Sequence, residues 1–204
     1  EDGAVSTPTG NAYDKYGTSN PIARRMMAGF FTALDNLLGE AAPRRILEIG
    51  AGEGEVADVV RDRWPDAVYV AGDLWDPELL EQWGPRRLTG AALDATHLPF
   101  PDDSFDLVLA IEVLEHVTDP PAILAELARV AAGRGVVSVP REPLWRALNM
   151  ARGAYLGALG NTPGHINHWG AMAFRAQVEA HLEVIDERRP VPWTMLAVRS
   201  RSTT

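Results

Sequence analysis

The segment Glu48-Ile49-Gly50-Ala51-Gly52-Glu53-Gly54 places three glycines at alternate positions where a strand-like run, 45–50, gives way to a helical one. Small residues at such a turn let backbone N–H groups approach a ligand closely, beside a helix N-terminus. The dinucleotide fingerprint G-x-G-x-x-G uses the same device. Here the third glycine comes one position early, and Glu55 stands where that fingerprint needs glycine, which argues against a nicotinamide oxidoreductase. Glu48, Glu53 and Glu55 are poor company for a pyrophosphate; they suit a ligand with positive charge and hydroxyls. Two further carboxylates end the next two strand-like runs. Asp73 lies 19 residues beyond Gly54, where a carboxylate can accept both hydroxyls of a ribose, and Asp94, followed by Ala95, can accept the amino group of an adenine. A turn cap accounts for either aspartate taken singly. Three carboxylates ending three consecutive strands instead define a crevice at the carboxyl edge of a sheet, where open α/β sheets bind ligands.

A second group of residues follows the fourth strand-like run. On a helix beginning at Glu112, the side chains of Glu112, Glu115 and His116 fall at i, i+3 and i+4 and converge on one point. Two carboxylates and an imidazole suit a divalent cation, and His165 or His168, in a loop before the helix expected at 171–180, offers a further ligand. The metal-free alternative makes His116, His165 or His168 a general base, or leaves the histidines to pack and to fix the loop.

The elements that must position these groups alternate. A helix is expected from Pro21 with Gly39 as its stop, then strand 45–50, helix 53–63, strand 67–72, helix 77–83, strand 87–93, strand 105–111, a helix over 114–132 broken near 118–121, and strand 135–139. Such alternation implies right-handed crossovers and a parallel sheet covered on both faces. After the helix at 171–180, runs 182–188 and 193–199 are joined by a short Pro-containing turn, so they form an antiparallel edge. Residues 1–19 are polar and rich in Gly, Ser and Thr and are expected to be a flexible N-terminal segment; 20–204 form a single domain.

Composition sets the outer bounds. With 204 residues and no cysteine, the chain suits one domain without disulfides, thiol nucleophiles or cysteine-held metals, so any metal must be held by oxygen and imidazole. A net charge of −9 speaks against a sequence-independent grip on nucleic acid or anionic lipid. The most apolar long stretch, 143–160, is interrupted by Arg146, Asn149 and Arg152, so no membrane span is expected and the cytoplasm is the default location.

Residues 46–54, Asp73 and the run 94–117 together resemble the class I S-adenosylmethionine-dependent methyltransferases, and the resemblance extends over about residues 13–200. It implies a Rossmann-like seven-stranded mixed sheet of order 3-2-1-4-5-7-6 with the last strand antiparallel. It further implies S-adenosylmethionine as cofactor. Glu48, Gly50, Ala51, Gly52 and Gly54 would shape the methionine end of its site, Asp73 and Leu74 the ribose end, Asp94 and Ala95 the adenine end, with Ile111 beside them. Tyr13, Lys15 and Tyr16 lie in a segment that often folds over the cofactor in similar enzymes, and Tyr16 is counted with the cofactor residues. Glu-x-x-Glu-His followed by a later His resembles the metal site of two branches, one methylating the 2′-hydroxyl at the ends of small RNAs and one methylating catechols in ubiquinone biosynthesis. That likeness implies Mg²⁺ or another divalent cation at Glu112, Glu115, His116 and His165, with His165 fitting the spacing better than His168.

The expected activity is methylation of a hydroxyl on a small acceptor, such as a catechol, polyketide, isoprenoid or sugar-like diol. Metal-free O- or C-methylation with a histidine base is the runner-up, and a cofactor-binding subunit without chemistry the third reading. Residues 141–169 form a long insertion after the fifth strand and are expected to act as a lid. Its helix, 143–157, and the loop after it carry an apolar stripe at Leu144, Leu148, Ala151, Tyr155 and Leu159 that could cover a partly hydrophobic acceptor, pack on the first helix, or meet a second subunit in a homodimer.

Overall fold

The computed structural model describes residues 20–201. Tyr16, Lys15 and the rest of 1–19 lie outside the described residues. The chain runs α1 (Pro21–Leu38), β1 (Arg45–Ile49), α2 (Glu55–Arg63), β2 (Val68–Asp73), α3 (Pro77–Arg86), β3 (Thr89–Ala92), β4 (Phe105–Ile111), α4 (Pro120–Val130), β5 (Ala131–Pro140), α5 (Leu144–Ala151), α6 (Ala171–Glu179), β6 (Glu183–Arg188) and β7 (Trp193–Arg199), with 3-10 turns at Leu114–His116 and Leu156–Ala158. The strands form one sheet of order β3-β2-β1-β4-β5-β7-β6. Every pair is parallel except the two made by β7, which runs antiparallel to both β5 and β6. This is the expected topology.

Period-two alternation divides the core. Ile46, Leu107, Leu109, Val136 and Met195 face a layer built with α1 and α2, while Leu47, Val108, Ala110, Val137 and Leu196 face one built with α4 and α6. Helix starts follow local chemistry: Asn20 caps α1 through N–H groups of Ile22 (2.9 Å) and Ala23 (3.4 Å), and Asp119 caps α4 through that of Ala122 (3.0 Å). No helix among the described residues is long and apolar enough to cross a membrane.

Three expectations need correction. The stretch 114–132 is not one broken helix: its start is a single 3-10 turn, α4 begins only at Pro120, and Ala131 and Ala132 already belong to β5. Helix α5 stops at Ala151 rather than running to 157, because Gly153 (φ 76°) and Tyr155 (φ 55°) turn into the left-handed region. The helix after β1 begins at Glu55 rather than 53, with left-handed Gly54 as its cap.

Leu127 is fully buried between α4 and the sheet, on the face away from the glycine loop. Leu127→Ala should lower unfolding free energy by about 2–5 kcal/mol through lost transfer energy and the cavity left behind, measured by urea denaturation.

Candidate active site

The glycine loop leaves β1 between the ends of β2 and β4. Gly50 (φ 67°), Gly52 (φ 51°) and Gly54 (φ 93°) are all left-handed. A Cβ on Gly50 would meet Val113 Cγ2 at 2.3 Å and one on Gly54 would meet Leu88 Cδ1 at 2.6 Å, whereas one on Gly52 would meet nothing within 4 Å. Gly50 and Gly54 are therefore required by packing, and Gly52 by its backbone angle at an open face. The loop is held from outside: Asp73 at the end of β2 accepts from Gly52 N and Leu74 N, both at 2.7 Å, and Trp83 Nε1 on α3 donates to Gly52 O at 2.7 Å. Burial raises the Asp73 carboxyl above its ordinary value despite the two N–H bonds that favour its charge.

Glu48 is buried under this loop, its Oε2 accepting from the Tyr69 hydroxyl at 2.6 Å. Desolvation pushes its carboxyl up to about 8, with the tyrosine bond pulling the other way. Asp94 is exposed at the mouth. Its Oδ1 accepts from Thr96 N (2.9 Å) and Thr96 Oγ1 (2.7 Å), and these bonds hold its carboxyl below the ordinary value. The loop after it is pinned to α4 by Arg129, which donates to Phe100 O (2.7 Å) and Leu98 O (3.0 Å).

The second group assembles differently from the sequence expectation. Glu112 precedes the 3-10 turn and sits at φ 61°, so it shares no helix face with Glu115 and His116. Its Oε2 instead accepts from Trp193 Nε1 at 2.7 Å, across the end of β5. Glu115, His116 and His165 do come together, with one potential ligand atom of each within 4.8 Å of the others. What joins them is the loop after α5: Ile166 N (2.9 Å) and Asn167 N (3.0 Å) both donate to Glu115 O, and Asn167 Nδ2 donates to the carbonyls of Leu114 and Val117. His116 Nδ1 lies 3.1 Å from Gly164 O; a carbonyl only accepts, so Nδ1 carries the proton and Nε2 is the basic nitrogen of the neutral ring. His165 meets His116 edge-on (ring centroids 4.8 Å) and stacks on Trp145 (6.0 Å), which in turn packs on Trp193 (5.9 Å). His168 takes no part. It is exposed, bonded to Asn161 Oδ1 at 2.9 Å, and lines no wall of the cavity described next.

Both groups open into one cavity of about 720 Å³. Glu48, Gly50, Ala51, Gly52, Asp73, Leu74, Asp94, Ala95 and Ile111 line one half; Glu112, Glu115, His116, His165, Trp145 and Trp193 line the other. Gly54 lies behind the wall. Tyr69, Trp83 and Trp193 were not legible as site residues, because each reaches its partner from an element that no local pattern connects to it.

Residues 47–139 match the family model of a methyltransferase domain. Among curated relatives, the chain is 39% identical over 101 residues to malonyl-[acyl-carrier protein] O-methyltransferase of Halorhodospira halophila, covering 47% of this chain and 34% of that protein. It is 34% identical over 140 residues to demethylmenaquinone methyltransferase of Roseiflexus castenholzii, covering 64% and 59%. The chain thus spans between about a third and three fifths of the length of these relatives. A solved protein of Pyrococcus horikoshii OT3 superposes with a TM-score of 0.68 at 15% identity, over 93% of this chain and 97% of that one.

Residues 47–139 are thus similar to a methyltransferase domain. The matched methyltransferase domain spans β1 to the end of β5 and holds the glycine loop, Asp73, Asp94 and the Glu115-His116 pair, whereas His165, Trp145 and Trp193 lie beyond it.

The buried carboxyl beneath the glycine loop gives a pH signature. Folded Glu48 binds its proton more tightly than the unfolded chain does, so stability falls as pH rises from about 4.5 to about 8. Glu48→Gln should remove that contribution, up to about 1.4 kcal/mol per pH unit, and melt higher than the wild type at pH 8.5 while matching it near pH 4, as thermal denaturation across pH will show.

Proposed function

We propose that the chain binds S-adenosylmethionine in the glycine-loop half of the cavity and methylates a hydroxyl oxygen of a small, partly hydrophobic acceptor, such as a catechol, polyketide, isoprenoid or sugar-like diol, in the other half. One observation carries this reading: a single cavity connects the clamped glycine loop and Asp73 to paired histidines walled by two tryptophans. When bound, the cofactor supplies a methyl group on an already activated sulfonium. The residues present fit it. The open face of Gly52 admits a ligand against the backbone, each Asp73 oxygen keeps a second lone pair for a ribose hydroxyl, and Asp94 lies at the mouth for an adenine amino group.

The chain's own residues then align and deprotonate the acceptor. His116 Nε2 takes the hydroxyl proton, its orientation set by the Nδ1–H bond to Gly164 O. Trp145 and Trp193 exclude water, and residues 141–169 act as the cover of this half. The donor set of Glu115, His116 and His165 also fits a divalent cation, since a ligating histidine commonly gives its other N–H to a backbone carbonyl, as His116 does. When bound, such an ion would favour the alkoxide or phenolate form of the acceptor. The metal-free reading leaves His116 as base alone.

Calorimetry should show S-adenosylhomocysteine binding, with Asp73→Ala weakening it by about tenfold or more through two lost charge-assisted hydrogen bonds and a loosened loop. His116→Ala should lower kcat by about 10²–10⁴ while leaving that affinity unchanged. Turnover lost on chelation and restored by Mg²⁺ or Mn²⁺ supports the cation; undiminished turnover after chelation removes it.

A further inference from the structure

The central peptide of the glycine loop is fastened from outside the cavity. Gly54 N donates to Ala51 O at 3.0 Å, closing a turn whose second residue, Gly52, sits at φ 51°. Two turn types begin with a left-handed second residue, and they differ by a flip of the peptide that follows it, here 52–53. Trp83 Nε1 donates to Gly52 O at 2.7 Å and so holds one side of that peptide. In a trans peptide the C=O and the N–H point opposite ways, so the same bond turns the Glu53 N–H away from α3. Trp83 is 4% exposed and lines no wall of the cavity, whereas Gly52 and Glu53 both line it.

The indole reaches Gly52 because β3 gives it a seat without a side chain. A Cβ on Gly90 would lie 1.9 Å from Cζ3 and 2.0 Å from Cε3 of the Trp83 ring. Gly90 is not left-handed, so glycine is required there by space alone. The corner that carries both residues is tightly closed. At the end of α3, Arg87 N donates to Gly84 O (3.0 Å) and Leu88 N to Trp83 O (3.1 Å), the paired bonds of a Schellman cap, with Arg87 at a left-handed φ of 52°. The same corner closes on Gly54, where an added Cβ would meet Leu88 Cδ1 at 2.6 Å and Arg86 Cδ at 3.1 Å. Arg86 then ties the corner to α2 through Asp58 (2.9 Å) and Glu55 (3.2 Å).

From this arrangement we propose that Trp83 is a positioning residue for the cofactor: seated on Gly90, it locks the 52–53 peptide with its N–H toward the cavity and thereby sets the affinity of the glycine loop. A backbone N–H held in place before the ligand arrives costs no ordering on binding. Trp83 touches no ligand and acts only through Gly52. The α3–β3 corner holds the C=O of that glycine as Asp73 holds its N–H, so two successive peptides of the loop are fixed from two different elements. Packing alone needs the ring of Trp83 but not its nitrogen. The lock stands by itself; its effect on affinity rests on the function proposed above.

Trp83→Phe keeps a ring and deletes the donor. In the free protein, amide hydrogen exchange at Gly52 and Glu53 should quicken about tenfold while the amides of β1 keep their rates. Calorimetry should then show S-adenosylhomocysteine binding about threefold to tenfold more weakly, the range for one neutral hydrogen bond. Gly90→Ala keeps the tryptophan and unseats it, so both effects should recur, and this variant decides the matter if Trp83→Phe does not fold. Leu127→Ala, destabilised on the far layer, should keep wild-type exchange in the loop and wild-type affinity. Unchanged exchange at Gly52 and Glu53 in either variant overturns the lock. Unchanged affinity beside quickened exchange overturns the positioning role, and equal weakening in Leu127→Ala assigns the effect to stability instead. A wild type that does not bind S-adenosylhomocysteine sinks the function proposed above, and the exchange measurement still decides the lock.

Discussion

One carboxylate holds the glycine-loop half of the cavity in shape. A loop with three left-handed glycines makes few bonds of its own, and Asp73 supplies the missing constraint by accepting from Gly52 N and Leu74 N at once. The clamp works because β1 and β2 pair in parallel with Ile49 beside Gly72, so both chains leave the sheet at the same level. Trp83 from α3 closes the other side of Gly52. Remove the clamp and the loop keeps its glycines but loses the reason to stay open.

The other half is built by long-range contacts. Two backbone N–H groups of the loop after α5 land on the Glu115 carbonyl, and with the Asn167 side-chain bonds they bring His165 beside His116. Behind them a run of rings links the pair to the core: His165 to Trp145, Trp145 to Trp193, and Trp193 to Phe30 on α1 at 5.0 Å. The histidine side of the cavity is thus packed against α1.

Carboxylates line both halves of the cavity: Glu48, Asp73 and Asp94 on the glycine-loop side, Glu112 and Glu115 on the side walled by Trp145 and Trp193. Burial pushes the Glu48 carboxyl up to about 8.

Local pattern determined most of the fold. Period-two apolar runs and caps at Asn20 and Asp119 encode the strands and helix starts, and alternating glycines after a strand encode the loop, because each depends only on residues a few positions apart. That Glu48, Asp73 and Asp94 share one edge was legible for the same reason: in a parallel sheet, carboxylates that end consecutive strands must do so. The histidine half of the cavity was not. Spacing placed Glu112 with Glu115 and His116, but a left-handed φ sends it to a tryptophan 81 residues away. Spacing favoured His165 over His168, and in the structure the loop bonds to the Glu115 carbonyl place His165 beside His116 while His168 stays exposed. Side-chain direction depends on backbone angles and distant packing, and only the tertiary structure carries those.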